Sequence, residues 1–312
     1  SITGEYRPIA VSPAPLAALA FTMDLRFDDL GLKLNSNGLQ VLAGVTGSCR
    51  KGRITAVMGP SGAGKTTFMN TLAGRASYGT VTGAVRINGA ADTVHNYSAF
   101  VGFVPQDDIM LRELTVFENL AFYAELRLPP AMEQAEKDRI VSSVIDVLGL
   151  SHIAHSPIGD ETTRGISGGQ RKRVNVGMEL VSWPSLLFLD EPTSGLDSTT
   201  SMDLLKGLRA SADAGCNVVV VLHQPSFPLY CLFHDVLLLG RGGQTVYLGP
   251  SDEALAYFES LGFVMPELYN PADFFMAVIA GPFEAPLAAR VDEFPAADAK
   301  DAQQYVADAD QR

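Results

Sequence analysis

The 312-residue chain (33.3 kDa) is 47% hydrophobic and 19% charged, which excludes a disordered polymer and predicts a globular protein with a dry core. Its 35 acidic residues outnumber 23 basic ones, giving a net charge of −12 and a pI near 4.8, so nucleic acid is disfavoured as a partner. Three widely spaced cysteines (Cys49, Cys216, Cys231) form neither a disulfide framework nor a zinc pattern. No run approaches 18 apolar residues, and the start, with Glu5, Arg7, Pro8, Pro13 and Pro15, does not read as a signal peptide. Taken alone, these features predict a soluble, intracellular protein.

In chain order, residues 1–18 read as a peripheral extension. Arg53–Met58 is the first of four short apolar runs that suit buried strands; the others are Phe100–Val104, Leu186–Leu189 and Asn217–Leu222. Strands alternating with helical patterns predict an α/β fold on a mostly parallel sheet. Directly after the first run, Gly59-Pro60-Ser61-Gly62-Ala63-Gly64-Lys65-Thr66 fits the G-x-x-x-x-G-K-[ST] pattern, and a helix is expected to continue to Gly74. Such a loop turns successive backbone N–H groups toward phosphate oxygens at a helix N-terminus. Lys65 would reach the β and γ phosphates, and the Thr66 hydroxyl would ligate Mg²⁺. The second run is followed by Pro105 and Gln106.

From about 113 to 183 the pattern is helical, without a convincing strand. Thr115-x-x-Glu118 is a capping box for a helix that Pro129-Pro130 must end. The next helix, with Ile140, Val141, Val144, Ile145 and Leu148 on one face, closes at Gly149. Ser167-Gly168-Gly169-Gln170 is a further capping box, opening Gly168–Ser182. Two glycines in a first turn sacrifice roughly 1 kcal/mol each of helix propensity, which makes sense where an anion approaches the exposed N–H groups. The run Arg171-Lys172-Arg173 reads as a solvated face.

The third strand ends in Asp190-Glu191. Alternation sends the two carboxylates different ways, Asp190 to hold Mg²⁺ through water and Glu191 to act as general base on the attacking water. The fourth ends at His223. Singly, these features are an ordinary Gly-rich turn, a solvated strand end, a turn glutamine and a structural histidine. Jointly, they fall at the carboxyl ends of predicted parallel strands, where open α/β sheets bind ligands. His95, His152, His155 and His234 lack metal-ligand spacing. Residues 281–312, rich in Ala, Asp and Pro, read as an acidic tail or linker.

In order and spacing these segments resemble the nucleotide-binding domain of an ABC transporter over roughly Leu19 to Ala280. Gly59–Thr66 resembles Walker A, Gln106 the Q-loop, Ile166–Gln170 the signature, Leu186–Asp190 Walker B, Glu191 the catalytic glutamate, Ser194-Gly195-Leu196-Asp197 the D-loop and His223 the switch histidine. Val104-Pro-Gln-Asp-Asp108, Gly165-Ile-Ser-Gly-Gly-Gln-Arg-Lys-Arg173, His223-Gln-Pro-Ser226 and Asn270-Pro-Ala-Asp-Phe274 are similar to the G subfamily, the white/pigment half-transporters, especially the plant white-brown-complex kind.

The resemblance implies a P-loop NTPase (RecA-like) core, with an antiparallel β subdomain and a helical, signature-bearing subdomain. It implies a domain over 19–280 and a tail or linker over 281–312, leading toward a membrane domain C-terminal to it. ATP and Mg²⁺ are the implied ligands. Gly59 to Thr66, Thr67, Ser167 to Gln170 and Asp197 would contact nucleotide; Thr66, Gln106 and Asp190 would serve the metal; Glu191, His223, Lys65 and Gln106 would serve catalysis. A second nucleotide-binding domain, identical or not, is the implied partner, pairing head to tail. The implied task is Mg-dependent ATP hydrolysis powering export of a lipid-like or hydrophobic substrate, from the cytosolic face of a membrane, the plasma membrane foremost. Leu32 falls where many such domains stack adenine on an aromatic ring, implying loose, apolar base recognition. A soluble ABC ATPase of DNA repair or translation fits less well, because no sustained heptads lie between Gln106 and Ser167, translation-type relatives carry two such domains in one chain, and the pI is acidic. A degenerate module that only holds ATP lacks support, since Lys65, Gln106, Glu191 and His223 are all present.

Overall fold

A computed structural model describes residues 21–159 and 165–281. The extension over 1–18 and, beyond Gly281, the segment to residue 312 lie outside the described residues. The described chain divides into two compact units, a helical one within 108–183 and an α/β one from 22–107 and 184–281.

The α/β unit begins with β1 (Leu25–Leu34), β2 (Gln40–Cys49), β3 (Ile54–Met58), α1 (Lys65–Leu72), β4 (Gly79–Ile87), β5 (Ala90–Ala91) and β6 (Val101–Val104). The helical unit follows with α2 (Val116–Arg127), α3 (Gln134–Val147) and α4 (Gly168–Leu180). The α/β unit then resumes with β7 (Leu186–Asp190), α5 (Ser198–Asp213), β8 (Asn217–Val221), α6 (Phe227–Tyr230), β9 (Asp235–Leu239), β10 (Thr245–Pro250), α7 (Ala254–Ser260) and α8 (Pro271–Ala280).

Two sheets share the α/β unit. One runs β10-β9-β3-β8-β7-β6, parallel throughout except for the β9–β10 pair. Its strands β3, β7, β8 and β9 are buried along their whole length, which is why their sequences are continuous apolar runs without alternation. The other sheet, β2-β1-β4-β5, is antiparallel, and bulges interrupt its registers. Arg53 forks onto both carboxylate oxygens of Asp235 at 2.5 and 2.6 Å, pairing a nearly buried charge at the amino ends of β3 and β9. In α8, Phe274 and Phe275 are fully buried, and Phe275 stacks on Phe258 of α7 at 4.8 Å between ring centroids, so this helix is anchored by aromatic packing.

In the helical unit both expected capping boxes form completely, at Thr115–Glu118 and Ser167–Gln170. Gly149 takes φ +66° directly after the C-cap of α3. Close approach of the helices rests on Gly177, where an added Cβ would lie 2.9 Å from Leu148 and 3.2 Å from Leu120. The solvated face expected for Arg171-Lys172-Arg173 is not what forms. Lys172 is 5% exposed, and the Arg173 guanidinium donates to the Leu148 carbonyl at 2.9 Å. Packing of α4 against α2 and α3 covers that side, and the long aliphatic stems of these residues are buried with it. Among the described residues no helix is long and apolar enough to cross a membrane.

Candidate functional site

The loop Gly59–Gly64 leaves β3 and enters α1 through Gly62 and Gly64, both at positive φ (+78° and +86°). The glycines have separate causes. A Cβ on Gly59 would sit 2.4 Å from the Leu239 carbonyl oxygen, and one on Gly64 would press against Val41 and Leu42 at 3.1 Å while also adopting left-handed backbone. A Cβ on Gly62 would meet nothing. Among the described residues, only its positive φ accounts for this glycine.

Lys65, 6% exposed, donates from Nζ to the carbonyls of Gly59 (2.9 Å) and Pro60 (3.2 Å). Burial lowers its pKa, and the carboxylates of Glu191 and Asp190 oppose that shift. The ammonium is thus held by two loop carbonyls at the N-terminus of α1, where a cation and a helix end together favour an anion. Thr66 follows with its hydroxyl donating to Asp190 Oδ1 at 3.2 Å, while Thr67 continues α1, with its carbonyl accepting from the Thr71 hydroxyl at 2.7 Å. Pro60, Ser61 and Ala63 complete the loop, where the Ala63 N–H donates to the Pro60 carbonyl.

Four neighbouring parallel strands, β3, β8, β7 and β6, deliver Gly59, His223, Asp190/Glu191 and Gln106 to one sheet edge. The edge is knitted through Glu191. Its Oε1 lies 2.8 Å from His223 Nε2, and its Oε2 accepts from Gln106 Nε2 at 3.2 Å. Asp190 is 5% exposed and closes the last residue of β7. Simple alternation does not extend to Glu191, because its φ is +48°. The left-handed turn points its carboxylate toward Gln106 and His223, whereas Asp190 faces Thr66. Two adjacent acids thus serve different partners, through a backbone conformation that alternation does not contain.

In the helical unit the Ser167 hydroxyl accepts from the Gln170 N–H at 3.2 Å, and Gln170 Oε1 accepts from the Ser167 N–H at 2.8 Å. A Cβ on Gly168 would meet nothing within 4 Å, so no neighbour among the described residues accounts for that glycine. Gly168 and Gly169 open the first turn of α4. In the α/β unit, Asp197 caps α5, accepting from the N–H (2.9 Å) and hydroxyl (2.7 Å) of Thr200. These bonds hold its carboxyl below the usual range.

Leu32 departs from its expected place. It is fully buried, paired across the sheet with Leu42 and Val81 and covered by Gly79, so it presents no face to a base. Sequence reading also missed the supports of the loop. The Leu239 carbonyl lies behind Gly59, and β2 lies behind Gly64, with the Ala43 N–H donating to the Gly243 carbonyl at 3.1 Å. No local signal marks such contacts, because they join segments distant in sequence.

The Thr66 hydroxyl and Asp190 carboxylate supply two hard oxygen donors at one point, a set that fits Mg²⁺. Among the described residues no group of three or more His, Cys, Asp or Glu side chains forms a metal cage. Chemically, the edge can hold a phosphate chain at the loop and polarise a water at Glu191.

A family model described as ABC transporter matches residues 42–194, and one described as ABC-2 type transporter matches residues 223–296. The chain is 48% identical over 259 residues to ABC transporter G family member 28 of Arabidopsis thaliana, covering 83% of this chain and 23% of the relative. It is 49% identical over 251 residues to ABC transporter G family member 25 of Oryza sativa subsp. japonica (80% and 25%). To the broad substrate specificity ATP-binding cassette transporter ABCG2 of Rattus norvegicus it is 43% identical over 242 residues (78% and 36%). The chain spans about a quarter of the length of the two plant relatives.

Proposed function

We propose, proceeding from the fact that the chain belongs to the ABC transporter family, that it is the ATP-binding and ATP-hydrolysing motor domain of a G-type half-transporter. The observation that carries the reading is Glu191, held by both Gln106 and His223 at the sheet edge that also presents the phosphate loop. We read residues 19–280 as the motor domain. The six-stranded sheet is its core, the four-stranded sheet its antiparallel subdomain, the stretch near 113–183 its signature-bearing subdomain, and 281–312 the link toward a membrane domain.

The substrate is ATP. Its phosphates are bound by the amides of Gly59 to Thr66, with Lys65 countering charge on the β and γ groups. Glu191 takes a proton from the attacking water as the bond to the γ phosphorus forms and the β–γ bridge breaks. His223 and Gln106 fix the direction of the Glu191 carboxylate, so its lone pairs are presented before the water arrives. Thr66 and Asp190 would hold Mg²⁺, with Gln106 nearby. When bound, Mg²⁺ supplies electrostatic stabilisation of the phosphate oxygens. Ser167 to Gln170, with two N-terminal glycines in α4, suit a γ-phosphate held by the loop of a second domain, identical or not, and Asp197 would face the same nucleotide. The work done is export of a lipid-like or hydrophobic substrate at the cytosolic side of a membrane, the plasma membrane foremost.

The test is phosphate release from ATP by the purified chain, with and without Mg²⁺, over a wide range of protein concentration. The rate per molecule should rise with concentration and vanish without Mg²⁺. A flat rate per molecule would remove the paired site, and no release at any concentration would remove the ATPase.

A further inference from the structure

We propose that Asn270 is a positioning residue for His223, acting through the backbone of Pro225. The inference rests on the role given to His223 above. The His223 ring is 53% exposed, so packing alone does not aim it, yet Nε2 lies 2.8 Å from Glu191 Oε1. What aims an exposed ring is the backbone that carries it. Here that backbone is unusual. Gln224 has φ +33°, a left-handed conformation that a side chain disfavours, and Pro225 follows it, restricting the preceding residue further. Residues persist in such conformations only where the surroundings over-determine them.

The constraint comes from α8. Asn270 Nδ2 donates to the Pro225 carbonyl at 2.9 Å, across 45 residues of sequence, and also to Asp273 Oδ2 at 3.1 Å. Both partners are acceptors, so only the amide nitrogen can face them. As the N-cap of α8, an asparagine would ordinarily accept from the first-turn N–H groups through Oδ1. In this helix there is no side-chain cap bond, and Asn270 Oδ1 is buried without a hydrogen-bond partner among the described residues. The side chain forgoes capping and spends its donors on Pro225 and Asp273. The base of the clamp is packed into the core: Phe274 and Phe275 are fully buried, and the Phe274 N–H donates to the Asn270 carbonyl at 2.9 Å. Asn270 therefore ties the strained turn after His223 to an anchored helix, and the ring inherits its direction.

The informative substitution is Asn270→Asp. It keeps shape and capping ability, but it removes both donors and sets a carboxylate against the Pro225 carbonyl. Two measurements are made on the purified chain. In the nucleotide-free state, the ring nitrogen resonances of His223 should lose their hydrogen-bonded signature. In turnover, kcat should fall about tenfold with KM for ATP changed less than about twofold, and the loss should not add to that of His223→Ala in the double variant. Should the Asp substitution fail to fold, Asn270→Ala, which lacks the repulsion, should give the same changes in smaller measure. Unchanged ring resonances, or a kcat loss that adds fully to His223→Ala, would overturn the inference. A wild-type chain that releases no phosphate would instead sink the ATPase reading, while the ring resonances still decide whether Asn270 aims His223.

Discussion

Thr66 Oγ1 donates to Asp190 Oδ1 at 3.2 Å, joining the first turn of the P-loop helix to the end of a strand 124 residues later. One residue further along each segment, the roles separate: Thr67 belongs to the helix, and Glu191 turns away to Gln106 and His223. The pair proposed to hold Mg²⁺ and the trio proposed to address the attacking water are thus adjacent but distinct, and substitutions should separate binding from turnover.

Glu191→Gln keeps volume and hydrogen bonding but removes the basic oxygen. ATP affinity should stay within a few fold, and turnover should fall by roughly 10²–10⁴. Nucleotide binding and phosphate release, measured on the same preparation, check this. Undiminished turnover would take Glu191 out of its role.

Gly59→Ala drives a methyl to 2.4 Å from the Leu239 carbonyl, an atom fixed in β9. The loop must shift. Stability should drop by about 1–3 kcal/mol, and ATP affinity should fall with it. Gly62→Ala, with open space around its Cβ, suffers only from its positive φ of +78° and should cost less. Denaturant melts of the two variants rank them.

Thr115→Ala and Ser167→Ala each remove the hydroxyl of a complete capping box, and each should cost about 1 kcal/mol. Their activities should part. Thr115→Ala should hydrolyse ATP like the parent, whereas Ser167→Ala should lose the concentration-dependent rate. Equal losses in both would leave the signature helix with a structural role only.

His234 accepts the Ile54 N–H at Nδ1 (3.1 Å), and its Nε2 lies 3.6 Å from Asp213. Burial, then Arg209 and Arg53, lower its pKa, against Asp213 and Asp235. The unfolded chain, titrating near 6.5, therefore binds a proton before the native state does. This contribution to stability is complete above about pH 6.5 and is lost as pH falls toward the lowered native value. His234→Asn, which keeps an acceptor for Ile54 but does not titrate, should flatten the stability profile in that window. A profile as steep as the parent's would assign the acid sensitivity to other groups.

By itself the sequence determined the local chemistry. The loop Gly59–Thr66, the capping boxes at Thr115 and Ser167, and the apolar runs ending at Gln106, Asp190 and His223 are written in short-range signals of spacing, glycine and hydrophobicity. Parallel strands have one chain direction, so runs that each end in a polar residue place those residues on one edge once their pairing is granted. The antiparallel sheet was legible only by resemblance, because bulges break the alternation in β1 and β2. Tertiary structure alone decided the rest. It buried Leu32 beneath Gly79, covered Lys172 by helix packing, set Leu239 behind Gly59, turned Glu191 through a positive φ onto His223, and brought Asn270 against Pro225. Each of these depends on which distant segments become neighbours. Burial and backbone strain are energies of the assembled fold, and no window of sequence contains them.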